Sequence, residues 1–174
     1  DDYPDFKPNL TPFEIFNLGS FGGTYFRPIY SSITGENYSN IHKQYDMLND
    51  VPENLLSCSV YDKSKNKYKV EVGTSLDMWE EKGWIKDYHP YGWVHWYCDF
   101  YNGKRCKDDK RQIERWKNLA GENGRFRKML ISLILKKNTK FDDYTVSPKI
   151  RQTLQHWGYV LTEEDYTCIL TEGT

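Results

Sequence analysis

Residues 93–137 read WVHWYCDFYNGKRCKDDKRQIERWKNLAGENGRFRKMLISLILKK, and their periodicity decides the fold. Trp93, Trp96, Tyr97 and Phe100 recur at i, i+3, i+4 and i+7, the spacing of one face of an α-helix. Large aromatic rings on one stripe supply much apolar area, so this helix is expected to pack against others.

Two more helices are predicted within the same stretch. The first begins at Asp108 or Asp109 and directs Ile113, Trp116 and Ala120 inward. A four-residue turn with glycine at each end separates it from the second helix. The second helix carries a larger set of expected inward residues: Phe126, Met129, Leu130, Leu133 and Ile134.

Capping signals predict further helices on both sides of this stretch. A Ser, Thr, Asp or Asn cap followed by proline or by glutamate or aspartate is typical of a helix N-terminus. The starts predicted in this way lie at Thr11-Pro12-Phe13-Glu14, Ser75, Ser147-Pro148 and Thr162-Glu163-Glu164-Asp165.

Strand signals are weaker and are confined to one region. Residues Lys67 to Val72 alternate with a period of two, and the run from Cys58 to Tyr61 can pair with them as a hairpin. The polar residues Ser31 to Asn40 are expected to form a loop.

The predicted fold class is therefore mainly α (α+β). It is an irregular bundle of about five to seven short helices with one small peripheral β-hairpin, since a lone hairpin needs helices to pack on. Residues 1–174 are expected to form a single compact domain, with 1–10 and 170–174 as loose tails.

Charge is segregated along the chain. The whole sequence has 24 basic and 25 acidic residues, but the stretch from Tyr101 to Arg151 has 15 basic and only six acidic ones. Solvated helix faces usually mix both signs, so a local charge of +9 indicates a polyanionic partner. Lysines and arginines clustered on one surface bind phosphates and release counterions.

The candidate nucleic-acid-binding residues follow from this charge and from an adjacent aromatic cluster. Exposed aromatic rings beside cations can stack on bases. Two rings, expected in a turn, are candidates for stacking, and seven cations are candidates for phosphate contacts: Tyr91 and Trp93; Arg105, Lys110, Arg111, Arg115, Arg125, Arg127 and Lys128.

Evidence for catalysis or a metal is thin. His95, Cys98 and Cys106, with His89, match no standard zinc spacing, so no metal or other cofactor is predicted. The acid pairs at 108–109 and 142–143 are typical of helix caps. The sequence discloses no triad, glycosidase pair or phosphate loop, so no catalytic residue is assigned.

The compartment is inferred from the cysteines and from hydropathy. The four cysteines are scattered, which is typical of reduced thiols in an intracellular protein, nuclear or cytoplasmic. No apolar run approaches the roughly 20 residues that span a bilayer, and no signal peptide is visible, so no membrane partner is expected.

The pattern GW-x-x-WYC (residues 92–98) followed by G-K-R-C-x-DD-x-RQI-x-RW (residues 103–116) resembles that of an uncharacterised domain family of fungi, algae and large DNA viruses. The resemblance extends from Thr11 to about Asp165. It implies a stand-alone domain in an intracellular setting and assigns no catalytic residues.

The sequence is compatible with three functions from different classes. The first is a mainly helical nucleic-acid-binding domain, with DNA favoured over RNA. The second is a protein-interaction or scaffold domain, in which acidic regions meet the basic region of a partner. The third is an enzyme acting on nucleotides or nucleic acid, which requires a pocket that gathers His89, Asp99, Asp108 or His156.

Overall fold

The computed structural model describes residues 2–72, 87 and 89–172. Within them the chain forms six α-helices and one two-stranded antiparallel sheet. The helices are α1 (Pro12–Asn17), α2 (Trp93–Tyr101), α3 (Asp109–Ala120), α4 (Arg125–Lys137), α5 (Pro148–His156) and α6 (Glu163–Glu172), and the strands are β1 (Ile29–Ser31) and β2 (Glu36–Tyr38). The predicted mainly α fold with one small hairpin is confirmed.

Side-chain caps fix three of the helix starts. The amide of Glu14 donates to Thr11 Oγ1, and the amide of Thr11 donates to Glu14 Oε1 at 2.9 Å, which completes a capping box. Ser147 Oγ caps α5, and Thr162 Oγ1 accepts from the amide of Asp165 at the start of α6. These three starts are confirmed, whereas the helix predicted from Ser75 lies outside the described residues.

The position predicted for the hairpin is wrong. The sheet is formed by β1 and β2, with Ile29 opposite Tyr38. β1 ends at the first residue of the segment expected to be a loop, Ser31 to Asn40, and β2 lies within that segment. The segment 58–72 instead wraps around the buried side chain of Asn66, which accepts from the amide of Gly22 and donates to Tyr61 Oη and the carbonyl of Val70. These hydrogen bonds satisfy backbone polar groups that inter-strand hydrogen bonds would satisfy in a β-hairpin.

The core is built around aromatic rings, and one of them comes from the segment expected to be a loose tail. Phe6 makes edge or tilted contacts with the rings of α2 and α3, with centroid distances of 5.2–6.2 Å: Trp93, Trp96, Tyr97, Phe100 and Trp116. Leu10 also receives a hydrogen bond from Tyr97 Oη. The prediction of a loose tail is therefore wrong for residues 2–10, and α6 carries helix through residue 172.

A buried carboxylate joins α2 to α3. Asp109 Oδ1 accepts from Trp96 Nε1 at 2.8 Å, and Asp109 Oδ2 accepts from the amide of Cys106 at 2.9 Å. Asp109 therefore fixes the turn between the two helices and the position of the α3 N-terminus, in place of the capping role expected for it.

The predicted inward face of α4 is partly wrong. Leu130 and Ile134 are buried as expected, but Met129 and Leu133 are exposed, and Arg127 and Ile131 are buried. The reason is that Arg127 is only 8% exposed and donates through Nε and Nη2 to the carbonyl of Ala120 at the end of α3. The buried stripe thus runs along 127, 130, 131 and 134.

Close backbone approach at Gly124 sets the corner between α3 and α4. A Cβ at this residue would lie 2.5 Å from the carbonyl carbon and oxygen of Leu119, too close for any side chain. We predict that Gly124→Ala lowers the free energy of unfolding by about 1–3 kcal/mol, because the helices must move apart. Urea denaturation measures this, with Asn123→Ala, an exposed change in the same turn, as the control. Equal stability of the two variants would contradict the role of Gly124.

Candidate nucleic-acid interface

Two of the candidate phosphate ligands are already paired at the surface. Arg105 donates from Nε and Nη2 to the two carboxylate oxygens of Asp2, and its guanidinium lies 3.8 Å from the ring centroid of Phe100. Arg111 forms a two-bond pair with Asp108, with Nε at 2.6 Å from Oδ1. A phosphate would have to compete with these carboxylates for either guanidinium.

Two other candidate phosphate ligands, Arg115 and Arg127, contact groups inside the protein. Arg115 donates to Gln112 Oε1 and lies over the ring of Trp157, and burial lowers its pKa to about 10, with Arg111 adding to the effect. Arg127 lies 4.1 Å from the ring centroid of Tyr159. Both cations therefore hold packed elements together, and the expectation that Arg127 is a surface residue is wrong.

The remaining predicted cations are exposed. Lys110 lies in the first turn of α3, and Arg125 and Lys128 lie in the first turns of α4. Arg125 contacts the ring of its neighbour Phe126 at 5.2 Å. Across residues 2–72, 87 and 89–172, no salt bridge involves Lys110, Arg125 or Lys128.

The two candidate stacking rings are buried, so the expectation that they are exposed is wrong. Tyr91 is 2% exposed and donates from Oη to the carbonyl of Arg27 at 2.7 Å. Trp93 is 6% exposed and donates from Nε1 to the carbonyl of Gln112. Their polar atoms are satisfied inside the protein, as buried Tyr and Trp require, and neither ring can meet a base without unfolding.

The exposed residues of this stretch nevertheless contain more bases than acids. Of the 15 cations between Tyr101 and Arg151, ten are exposed, whereas only three of the six acids are. The exposed cations are Lys104, Arg105, Lys107, Lys110, Arg125, Lys128, Lys136, Lys137, Lys140 and Lys149, and the exposed acids are Glu114, Glu122 and Asp142.

Helix α4 carries the most uniform part of this surface. It contains five cations and no acid over 13 residues. Its exposed stripe follows the helical period, with cations at both ends and Met129 and Leu133 between them, 47% and 37% exposed. The stripe consists of Arg125, Lys128, Met129, Ser132, Leu133 and Lys136. The absence of acids from α4 is visible in the sequence, but which cations face outward is not.

A second cluster of titratable groups lies beneath the surface near the start of α2. His89 Nε2 lies 2.8 Å from Asp99 Oδ2, and Tyr45 Oη donates to Asp99 Oδ1 at 2.7 Å. Burial raises the pKa of Asp99, but the hydrogen bonds from His89 and Tyr45 outweigh burial and lower it to about 2. A carboxylate with so low a pKa is a weak general base.

The residues required for an enzymatic pocket do not all meet. Asp108 is bound to Arg111, and His156 Nε2 lies 3.0 Å from Gln152 Nε2 and accepts from the amide of Phe21. Over the described part of the chain, no group of three or more His, Cys, Asp or Glu side chains has the arrangement of a metal site. Only His89 and Asp99 of the enzymatic set are in contact.

Comparison with protein-family models, curated proteins and solved structures finds no significant match. Among the helices of the described residues, none has the length and apolar character needed to cross a bilayer. The function is therefore argued from the surface of this chain alone.

Buried histidines give the fold a defined pH dependence. Burial lowers the pKa of both His95 and His156 from 6.5 to about 3, and the charges of His89 and Lys104 add to the effect at His95, against Asp99. Between these values the unfolded chain binds protons that the folded chain does not, so stability is fully present above pH 6.5 and is lost as the pH falls toward 3.

We predict that the free energy of unfolding falls by about 1.4 kcal/mol per pH unit for each of the two histidines in this window. Urea midpoints measured between pH 7 and pH 4.5 check this. His95→Phe, which keeps a ring beside Phe26 and Tyr91, should remove about half of this slope. An unchanged slope in His95→Phe would rule out its contribution.

Proposed function

We propose that this protein is a nucleic-acid-binding domain that contacts phosphates through the exposed stripe of α4, with DNA favoured over RNA. The observation that carries the proposal is that α4 exposes cations at both ends and contains no acid. Lys110, in the first turn of the neighbouring α3, is a further exposed cation of the proposal. A nuclear or cytoplasmic location belongs to the same proposal, and the four cysteines, all among the described residues, form no disulfide.

The dimensions and chemistry of the stripe fit a nucleic-acid backbone. Arg125 and Lys136 are 11 positions apart, so about 17 Å of helix separates them. Lys and Arg along such a length can neutralise several phosphates, and this gives affinity that falls with salt. Met129 and Leu133 lie between the cations, where apolar side chains can contact the sugars of the backbone.

The burial pattern changes the residues to which binding is assigned. Arg125, Lys128 and Lys136 are the principal phosphate ligands of the proposal, since each is exposed. Arg115 and Arg127 are left out because their guanidinium groups satisfy interior partners.

A second candidate function is docking of a protein partner on the same helix. It is favoured by three exposed large apolar side chains on α4, Met129, Leu133 and Leu135. Apolar side chains ringed by cations suit an amphipathic segment with acidic flanks. The two functions differ in salt dependence, because apolar contacts survive salt that screens phosphate contacts.

We predict that Lys128→Glu weakens binding to labelled DNA by roughly tenfold at low salt and lowers the magnitude of the salt slope by about 1, because a phosphate contact is lost. Fluorescence anisotropy at two or more salt concentrations measures both quantities. Lys43→Glu is the matched control, since Lys43 is an exposed lysine in the 3-10 turn Ile41–Gln44, outside the basic stretch.

Three results would decide the matter. Loss with Lys128→Glu but not with Lys43→Glu supports the assignment to α4. Equal loss in both variants indicates attraction by overall charge alone, and contradicts a defined interface. No binding of single- or double-stranded DNA or RNA at low salt would overturn nucleic-acid binding and leave the protein-docking function.

A further inference from the structure

Two tyrosines far apart in sequence meet at the surface beside α5. The ring centroids of Tyr68 and Tyr144 are 5.8 Å apart, with the planes inclined at 62°. Tyr144 is 49% exposed, and Tyr68 is half-buried behind it. A half-exposed aromatic ring supported by a second ring is the kind of surface on which a nucleic-acid base can stack.

Helix α5 holds both rings in place. The buried guanidinium of Arg151 donates to the carbonyls of Phe141, Asp143 and Val146, which fixes the loop that carries Tyr144. The same guanidinium lies 5.2 Å from the Tyr144 ring centroid. The amide of Tyr68 donates to Gln152 Oε1 on the next residue of α5, so the two rings are set by one helix. The platform is therefore preorganised.

A cation accompanies the two rings. The ammonium of Lys67, an exposed residue, lies 5.5 Å from both ring centroids. A nucleotide that stacks on Tyr144 can place its phosphate within reach of the Lys67 ammonium. Aromatic rings beside cations form the usual contact surface for single strands.

The platform adjoins the C-terminal end of α4. Lys137, the last residue of α4, donates to Thr145 Oγ1 at 2.6 Å and lies 3.5 Å from Asp143. The loop with Tyr144 is therefore attached to the C-terminal end of the helix to which phosphate contacts are assigned. A strand that follows α4 toward its C-terminus reaches this loop next.

We infer that Tyr144, supported by Tyr68 and Lys67, is a stacking site for an unpaired base, and that the ligand is single-stranded nucleic acid. The inference rests on the proposed function, because the phosphates on either side of the stacked base need the α4 cations. Tyr91 and Trp93, which the sequence predicted as stacking rings, are buried. Tyr144 takes their place as the candidate for base stacking.

The test compares two single strands of equal charge, a thymidine oligonucleotide of about 15 nucleotides and an abasic oligomer of the same length, by fluorescence anisotropy. We expect the wild-type protein to bind the thymidine strand at least roughly fivefold more tightly. Tyr144→Ala should abolish this preference while the affinity for the abasic oligomer stays unchanged, and Tyr144→Phe should keep it. Tyr30→Ala, which removes a tyrosine 59% exposed on β1, should also keep it.

The outcomes separate the two proposals. Equal wild-type affinity for both oligomers, or a preference that survives in Tyr144→Ala, overturns the stacking site while phosphate binding by α4 stands. An equal loss on both oligomers with Tyr144→Ala also overturns it, because the ring would then act through the fold or the phosphates. Failure of the wild-type protein to bind either oligomer at low salt overturns the proposed function and the stacking site together.

Discussion

The hydrogen bond from the Trp96 indole to the buried carboxylate of Asp109 is the contact on which the basic surface depends. It fixes α3 against α2, because the same carboxylate also holds the amide of Cys106 in the connecting turn. The glycine-containing corner then fixes α4 against α3, with Arg127 bonded to the last carbonyl of α3. A buried charge without these donors would be strongly destabilising. The positions of the cations on α4 therefore depend on one desolvated acid at the start of the preceding helix.

Much of the fold was predictable because its determinants are local. The capping box at Thr11, the proline start after Ser147 and the aromatic stripe of α2 each need only a few neighbouring residues, and the structure contains all three. The hairpin was misplaced because a contact distant in sequence decides it. The side chain of Asn66 accepts a hydrogen bond from the amide of Gly22, 44 positions away. The alternation of apolar and polar residues at 67–72 is local and cannot reveal such a bond.

The positive charge of the candidate surface was predictable from the sequence, but the residues that form this surface were not. A count of lysines and arginines treats Arg127 and Lys128 alike, although one is bonded to the interior and its neighbour is exposed. Arginine can be buried when carbonyls and an aromatic face receive its guanidinium, and those partners come from other elements. The tyrosine platform could not be predicted for the same reason, because its rings are 76 positions apart and meet only through α5.

The contact of residues 9 and 10 with the far end of the chain has a consequence for how the protein folds as it is made. Asn9 exchanges two hydrogen bonds with the backbone of Val160, 151 positions later. At about 5–20 residues per second, synthesis separates the two by roughly 8–30 s. During this interval the aromatic core around Phe6 lacks its contacts with α5 and with the residues that follow α5. The nascent chain is thus expected to expose apolar rings to chaperones until α5 and α6 emerge from the ribosome.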